Sequence, residues 1–339
     1  MLEPPALAGD TLVGALETGF GIRLVGLVFL PVGNDPASWA YRVEVAGGRS
    51  LFLKVRAGAG AMPGAAVPWY LHRHGVPLVP APVPTGAGTP WLAVDGFAVA
   101  LYPLLDAATG TEVGLSRADW RELGTAVARA HALPPTPELA GLSGRETFRP
   151  SRRELLPRLE AEVAAADPTD PVAGALAGFW KARQEVIGAL VDRADRLSRR
   201  LALEPSRQVL CHGDLHTWNV LVDADRRLWI VDWDEAVLAP RERDLMFVVG
   251  GIGHGLVQPG DTDSFLEGYG ETSIDPRRLA YYRAAWAVQD IAAYGEQVLL
   301  APDLGEVTRR AALEGFMDLF APGNIVELAG RVAGRSGPG

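Results

Sequence analysis

The chain has 339 residues, of which 48% are hydrophobic and 22% are charged, values typical of a globular protein with one large or two smaller domains. Its 41 acidic residues outnumber its 32 lysines and arginines, and the net charge of −9 argues against nucleic acid or an anionic membrane as a partner. The single cysteine excludes an internal disulfide framework. Because there is neither a signal peptide nor an apolar run of about 20 residues, we expect a cytoplasmic protein.

The first hundred residues predict an antiparallel sheet with one helix. Short segments rich in Val, Leu and aromatic residues alternate with turn residues, and Gly47-Gly48 and Asp95-Gly96 are typical hairpin turns. A helix is predicted from Pro63 to His74, where apolar residues recur at helical spacing. The predicted strands cover residues 22–30, 39–45, 50–55, 91–94 and 97–102.

After Pro103 the apolar residues recur with a period of 3.6, which indicates helices. Ser116 is placed to cap a helix that ends before Pro134-Pro135. We therefore predict an α+β protein with a sheet-rich lobe over residues 1–103, a helical lobe over 104–333 and a flexible tail over 334–339. The further helices are predicted over residues 152–166, 172–203, 241–249, 261–269, 276–300 and 303–320, and short strands over 208–211, 220–222 and 228–231.

A polar loop, His212-Gly-Asp-Leu-His-Thr-Trp-Asn219, lies between two of these short strands. Asp214 and Asn219 share the loop, and Asp232 follows the next strand, which folds back antiparallel and brings the three side chains together. Carboxylate and amide oxygens are the ligands that Mg²⁺ prefers, and phosphoryl transfer also needs a carboxylate that orients the attacking hydroxyl. The spacing therefore predicts a kinase in which Asp214 is catalytic and Asn219 and Asp232 bind magnesium.

Other interpretations of the loop stay open. Asp and Asn often satisfy backbone groups in hairpin loops, although this explains only part of the spacing. His212 and His216 lie four residues apart, but a zinc pair at that spacing needs a helix, so a structural His212 is favoured over a metallohydrolase. A catalytically silent kinase-like binding module is a further alternative. The glycine-rich run 250–255 is not preceded by a strand, and we interpret it as a helix end and linker.

The stretch HGDLHxxNxLxD from His212 to Asp223, followed by IVDWDEA from Ile230 to Ala236, resembles the signature of the aminoglycoside phosphotransferase family, relatives of the protein kinases. The run from Leu238 to Phe247 is similar to the spectinomycin phosphotransferase branch. The resemblance implies a two-lobed protein-kinase-like fold, with an antiparallel N-terminal lobe that binds nucleotide and a mainly helical C-terminal lobe. It also implies ATP, or alternatively GTP, as phosphate donor, and a bracing role for Asp244.

The same resemblance implies nucleotide-binding residues in the first lobe. Lys54 lies in the strand where the family has its phosphate-binding lysine, and Lys181 is the only other lysine in the chain. An outward-pointing surface lysine is the alternative. The helix after Lys54 contains no acidic residue between Pro63 and His74, which leaves the carboxylate partner of Lys54 open. The resemblance implies that Asn34 and Ser38 belong to the loop over the nucleotide, for which a plain hairpin turn is the alternative. It implies that Leu101 and Tyr102 form the hinge that binds the adenine.

Acidic and aromatic side chains predict an amine-bearing acceptor. Asp290 and Tyr294 lie four residues apart on one face of a late helix, and charge-assisted hydrogen bonds from such groups suit a cationic ring. A solvated acidic face, and simple packing of Trp233, are the alternatives. The other residues predicted to bind substrate are Trp233, Asp234 and Glu235.

The expected activity is ATP-dependent O-phosphorylation of an aminoglycoside or aminocyclitol antibiotic of the spectinomycin type, giving resistance or self-protection. A kinase for choline, a sugar, a macrolide or a peptide antibiotic is the alternative within the enzyme class. We expect a small, cationic, hydroxylated substrate and neither nucleic acid nor a membrane as a partner, while the oligomeric state stays open.

Overall fold

The computed structural model describes residues 2–33, 35–58, 60, 62–166, 169–301 and 304–331. Among these residues, the antiparallel sheet comes first and most helices follow, which confirms the α+β class. The predicted tail over residues 334–339 lies outside the described part of the chain. The first elements in chain order are α1 (Gly9–Phe20), β1 (Leu24–Leu30), β2 (Ser38–Val45), β3 (Arg49–Ala57), α2 (Pro63–Arg73), β4 (Leu92–Val94), β5 (Phe97–Pro103) and β6 (Ala107–Thr109).

Helices and short strands alternate over the rest of the chain. They are α3 (Gly110–Val113), α4 (Arg117–Ala132), α5 (Pro137–Leu142), β7 (Gly144–Arg145), α6 (Leu156–Ala165), α7 (Pro171–Lys181), α8 (Gln184–Leu201), β8 (Val209–Cys211), β9 (Val220–Asp223), β10 (Leu228–Ile230), β11 (Val237–Ala239), α9 (Glu242–Leu245), α10 (Asp261–Tyr269), α11 (Pro276–Leu299), α12 (Glu306–Asp318) and α13 (Ile325–Gly330).

Most predicted elements are confirmed to within a few residues, but two predicted helices differ, and α1 as well as the short elements α3, α5, α13, β6, β7 and β11 were not predicted. The sequence analysis did not predict α1, whose three glycines lower helix propensity but whose apolar side chains Leu12, Leu16 and Phe20 are buried against the sheet. The helix predicted over 172–203 is two helices, because Arg183 between α7 and α8 leaves the helical conformation. The helix predicted over 241–249 is only the short α9.

The contacts divide the chain into two units. The first contains Met1–Arg145, Gln208–Ala239 and Asp263–Glu271, and the second contains Glu146–Arg207, Pro240–Thr262 and Thr272–Gly339. In the second unit, buried residues of the long helix α11 pack against α6, α7, α8, α12 and α13. The lobe boundary at residue 103 stays a prediction. No helix of the described residues combines the length and the apolar character that crossing a membrane requires.

The five-stranded sheet of the first unit has the order β1-β2-β3-β5-β4, and all its neighbouring strands are antiparallel. The central strand, β3, alternates between two faces. Leu51, Leu53 and Val55 are buried in the apolar core that α1 covers. Lys54 and Arg56 therefore point to the opposite face of the sheet.

Two small sheets carry the polar loop, which runs from the end of β8 to the start of β9. β8 pairs with β11, whereas β9 pairs with both β10 and β6. The antiparallel register of β9 and β10 places Val220 opposite Ile230, and the backbone N–H of Val231 donates to the carbonyl of Asn219 at 3.0 Å. This pairing brings the end of the polar loop beside the segment that contains Asp232.

Candidate active site

The backbone of the polar loop depends on Gly213. This residue has a φ of +86°, and a Cβ at this position would lie 2.1 Å from the carbonyl oxygen of Glu235. Both the left-handed conformation and the close approach require glycine. The loop is thereby fixed against the segment that follows β10.

His212 is a structural residue of this loop, as the sequence analysis favoured. Its ring is buried, with Nε2 2.9 Å from the carbonyl oxygen of Val231, and its Nδ1 accepts a hydrogen bond from the backbone N–H of Asp214 at 3.2 Å. These contacts fit a ring that donates from Nε2 and accepts at Nδ1. Both ring nitrogens are engaged in holding the loop, which argues against the zinc alternative.

Asp214 is held by its own loop. The side-chain amide nitrogen of Asn219 donates to the backbone carbonyl of Asp214 at 2.9 Å and to its Oδ2 at 3.0 Å. His216 Nε2 lies 3.0 Å from Asp214 Oδ1, a buried atom with no other hydrogen-bonding partner among the described residues. The carboxylate therefore has a defined orientation. The amide oxygen of Asn219 takes no part in these bonds.

Asp232 adopts the left-handed conformation with a φ of +62°, which is uncommon for a residue other than glycine and occurs often at functional sites. Lys54 Nζ lies 2.7 Å from Asp232 Oδ1 and 2.8 Å from Asp234 Oδ2. The Lys54 side chain is only 12% exposed, so the alternative of an outward-pointing surface lysine is wrong. Asp232, by contrast, is 47% exposed and accessible to a ligand.

A second cation, Arg56, joins this cluster. Its Nη1 lies 2.6 Å from Asp234 Oδ2 and 3.0 Å from Asp35 Oδ2. Asp35 also accepts the backbone N–H of Ala37 at 2.9 Å, which shapes the β1–β2 loop. Arg56 and Asp35 are not among the predicted site residues, although the position of Arg56 two residues after Lys54 on the same strand places both cations on one face.

The carboxylates keep the two cations charged, and Lys54 does the same for Asp232. Burial alone lowers the pKa of Lys54, but Asp232 and Asp234 outweigh it and raise the pKa above its ordinary value. Burial likewise opposes the charge of Arg56, whose pKa is raised by Asp234 and Asp35. Partial desolvation of the half-exposed Asp232 raises its pKa, but the ion pair with Lys54 outweighs this effect and holds the pKa below the ordinary value. Asp232 is thus an anion at neutral pH.

The predicted nucleotide-binding residues lie at separate places on the five-stranded sheet. Ser38 begins β2, and its backbone N–H donates to the carbonyl of Asp35 at 3.2 Å. Leu101 and Tyr102 lie on β5 and are buried; the hydroxyl of Tyr102 donates to the carbonyl of Gly64 at 2.5 Å. Asn34 lies outside the described residues. The nucleotide contacts of these four residues stay predictions.

The predicted substrate residues are divided between the units. Trp233 is 3% exposed, and its indole N–H donates to the carbonyl of Ile230 at 3.1 Å, which favours the packing alternative over stacking on a ligand. Asp234, also predicted to bind substrate, already has its charge matched by two cations. Glu235 is exposed beside this cluster. Asp290 and Tyr294 are half-buried on α11, in the second unit, and their role stays a prediction.

The model of the phosphotransferase enzyme family (APH) matches residues 29–282, which include β3 and the whole polar loop. No curated protein matches the chain.

Among solved structures, spectinomycin phosphotransferase APH(9)-Ia in complex with ADP and spectinomycin is 30% identical, with a TM-score of 0.84, and the alignment covers 96% of this chain and 98% of that chain. The AMP-bound complex of the same enzyme is 29% identical with a TM-score of 0.80, covering 95% of this chain and 98% of that chain. Amicoumacin kinase hAmiN in complex with AMP-PNP, Ca²⁺ and Ami, at 16% identity and a TM-score of 0.62, covers 95% of this chain and 94% of that chain and supports the fold alone. The chain belongs to the phosphotransferase enzyme family, has its kinase-like fold, and is a small-molecule kinase.

Proposed function

We propose that this kinase transfers the terminal phosphoryl group of ATP to a hydroxyl group of an aminocyclitol antibiotic of the spectinomycin type. The observation that carries the proposal is the grouping of Asp214, Asn219, Asp232 and Lys54 in one unit of the chain. The similarity to spectinomycin phosphotransferase along nearly the whole chain supports the choice of acceptor class. Phosphorylation of such an antibiotic would give resistance or self-protection.

The donor set fits a divalent cation such as Mg²⁺. Asp232 presents a half-exposed carboxylate. The side-chain nitrogen of Asn219 donates to Asp214, and its amide oxygen is available to bind a cation. Both are oxygen ligands of the kind that Mg²⁺ binds together with water and phosphate. We assign the metal to Asn219 and Asp232; when bound, it supplies positive charge that offsets the charge of the phosphate oxygens.

Asp214 orients the acceptor hydroxyl and accepts its proton late in the transfer. The two bonds from Asn219 and the contact with His216 fix the carboxylate in advance, so little reorientation is needed when the acceptor arrives. Since phosphoryl transfer relies mainly on positioning and charge, a fixed carboxylate is what this step requires from the protein.

The nucleotide is bound by the first unit. Lys54 holds the inner phosphates with a compact ammonium group, which lies between Asp232 and Asp234. Asn34 and Ser38 belong to the loop over the phosphates, and the backbone at Leu101 and Tyr102 recognises the adenine edge. GTP is the alternative donor.

The acceptor is cationic. Glu235, an exposed carboxylate in the unit that contains Asp214, is the side chain we assign to its amines, and charge-assisted hydrogen bonds provide the specificity. The net charge of −9 favours an amine-bearing antibiotic over an anionic sugar.

The test is a panel of acceptors incubated with the enzyme, ATP and Mg²⁺ and analysed by mass spectrometry for an added phosphate. The panel contains spectinomycin, aminoglycosides, a macrolide and choline. We expect phosphate on spectinomycin or a related aminocyclitol and none on the macrolide or choline. Phosphorylation of the macrolide or choline alone would overturn the assignment of the acceptor class while leaving the kinase chemistry intact.

A further inference from the structure

Lys54 has no carboxylate partner on the helix that follows its strand. Helix α2 contains no acidic residue, so it offers no ion pair to the ammonium group. The structure supplies two carboxylates from the segment after β10 instead. Lys54 Nζ lies 2.7 Å from Asp232 Oδ1 and 2.8 Å from Asp234 Oδ2.

The two carboxylates differ in exposure. Asp234 is only 10% exposed, and Arg56 also binds it, at 2.6 Å. Asp232 is 47% exposed and is the residue that we assign to the metal. A carboxylate that binds a metal ion attracts Lys54 less strongly, because part of its negative charge is neutralised by the metal. We therefore expect the buried Asp234 to keep its ion pair with Lys54 when the nucleotide and metal bind.

Helix α2 is shaped to accept this arrangement. A Cβ at Gly64 would lie 1.8 Å from Asp234 Oδ1, so any other side chain would displace the carboxylate. Gly64 is further fixed by the Tyr102 hydroxyl, which donates to its carbonyl at 2.5 Å. Helix α2 therefore has no acidic residue, but its glycine leaves room for the carboxylate of Asp234.

We propose that Asp234 is the positioning residue for Lys54, supplying the carboxylate that α2 lacks, and that Gly64 is present to admit it. This inference rests on the proposed nucleotide site and deepens it. Asp234 is thereby assigned to nucleotide binding through Lys54 rather than to the acceptor.

The two lysines of the chain make a direct test possible. The whole protein is treated briefly with the amine-acylating reagent N-hydroxysuccinimidyl acetate, and peptide mass spectrometry gives the labelling of Lys54 relative to the exposed Lys181 as internal reference. In wild type, we expect Lys54 to be protected with and without Mg²⁺, because it is largely buried and paired with two carboxylates. We expect Asp234→Asn to raise the Lys54-to-Lys181 ratio by about threefold or more, since one of two charge-assisted contacts is lost.

A second variant acts from the other side of the contact. Gly64→Ala leaves Asp234 in the sequence but places a methyl group against its Oδ1, and we expect the same increase in Lys54 labelling. The matched controls are Asp225→Asn, at an exposed turn aspartate, and Gly14→Ala, at an exposed glycine with open space around it. Neither control should change the ratio. Asp234→Glu, which keeps the charge, should restore part of the protection.

Nucleotide affinity gives an independent measurement. The dissociation constant for AMP-PNP with Mg²⁺ should rise by roughly tenfold in Asp234→Asn and Gly64→Ala, as expected when a phosphate-binding lysine loses its position. Unchanged labelling and unchanged affinity in variants with normal melting curves would overturn the proposal. If Asp234→Asn fails to fold, Gly64→Ala decides alone. A failed acceptor screen leaves these results unaffected, so the two proposals can fail separately.

Discussion

At the residue scale, the side-chain nitrogen of Asn219 holds Asp214, and its oxygen is the metal ligand that we propose. We expect Asn219→Ala to lower kcat by about a hundredfold and to raise the Mg²⁺ concentration needed for half-maximal rate, since both tasks are lost. Steady-state rates over a magnesium titration measure both effects. A normal magnesium requirement together with a low kcat would contradict the metal assignment and leave only the support of Asp214.

A second prediction at this scale concerns pH and Asp275, which caps α11. It accepts the backbone N–H of Arg277 at 2.8 Å. Burial raises the pKa of this carboxyl, but the bonds from Arg277 outweigh it and lower the pKa below the ordinary value. A lowered pKa means that the stabilisation is present above the unfolded pKa of about 3.9 and is lost as the pH falls through the folded value.

Asp275→Ala should therefore lower the free energy of unfolding by about 1 kcal/mol at pH 7. The difference between the variant and wild type should shrink as the pH falls below about 4, because the carboxyl of the unfolded chain then binds a proton while the folded carboxyl, with its lower pKa, is still ionised. Melting temperatures measured from pH 3 to pH 7 give this difference directly. A difference that stayed constant over the whole range would show that the cap does not depend on the charge.

At the scale of elements, α4 and α10 approach each other through glycines. A Cβ at Gly268 would lie 1.8 Å from the carbonyl oxygen of Arg121, and a Cβ at Gly124 would lie 2.1 Å from that of Phe265. Gly268→Ala should therefore force the helices apart and lower the free energy of unfolding by about 1–3 kcal/mol. Urea denaturation of the full chain measures the loss.

The matched control is Gly188→Ala on α8, an exposed position with no atom within 4 Å of the added methyl group. Here the gain in helix propensity should leave stability unchanged or raise it by up to about 1 kcal/mol. Equal effects at Gly268 and Gly188 would mean that helix propensity, and not the contact between α4 and α10, determines the outcome.

The sequence predicts elements well where the pattern is local. The strands of the five-stranded sheet and the Ser116 cap of α4 were predictable because alternation, turn residues and capping act over a few residues. Helix α1 was not, since its glycine content hides a stability that comes from burial against the sheet. The break between α7 and α8 was missed because no proline or glycine marks it at Ala182 and Arg183.

In the candidate site, too, local groupings of residues were predictable from the sequence and long-range contacts were not. Asp214, Asn219 and Asp232 were predictable together because one loop and one adjoining strand contain them. The ion pairs of Lys54 were not, because 178 residues separate Lys54 from Asp232 and only the folded sheet brings them into contact. The ion pairs of Asp234 with two cations depend on the same kind of long-range contact.

At the scale of the whole molecule, the net charge of −9 should attract an amine-bearing acceptor. Salt screens such attraction over about 10 Å at 0.1 M ionic strength. The KM for a cationic acceptor should therefore rise between 50 and 500 mM NaCl by roughly threefold or more, with kcat nearly unchanged. Rates with a hydroxylated acceptor that carries no amine are the control, and an equal salt effect on both would contradict electrostatic recognition.

The central claim is that Asp214 directs phosphoryl transfer from a bound nucleotide to a hydroxyl group. The most direct test compares wild type and Asp214→Asn for phosphate transfer to the acceptor found in the screen, with AMP-PNP affinity measured on the same preparations. We predict that kcat falls by about 10² to 10⁴ while nucleotide affinity changes little. Near-normal turnover in the Asp214→Asn enzyme would contradict the claim.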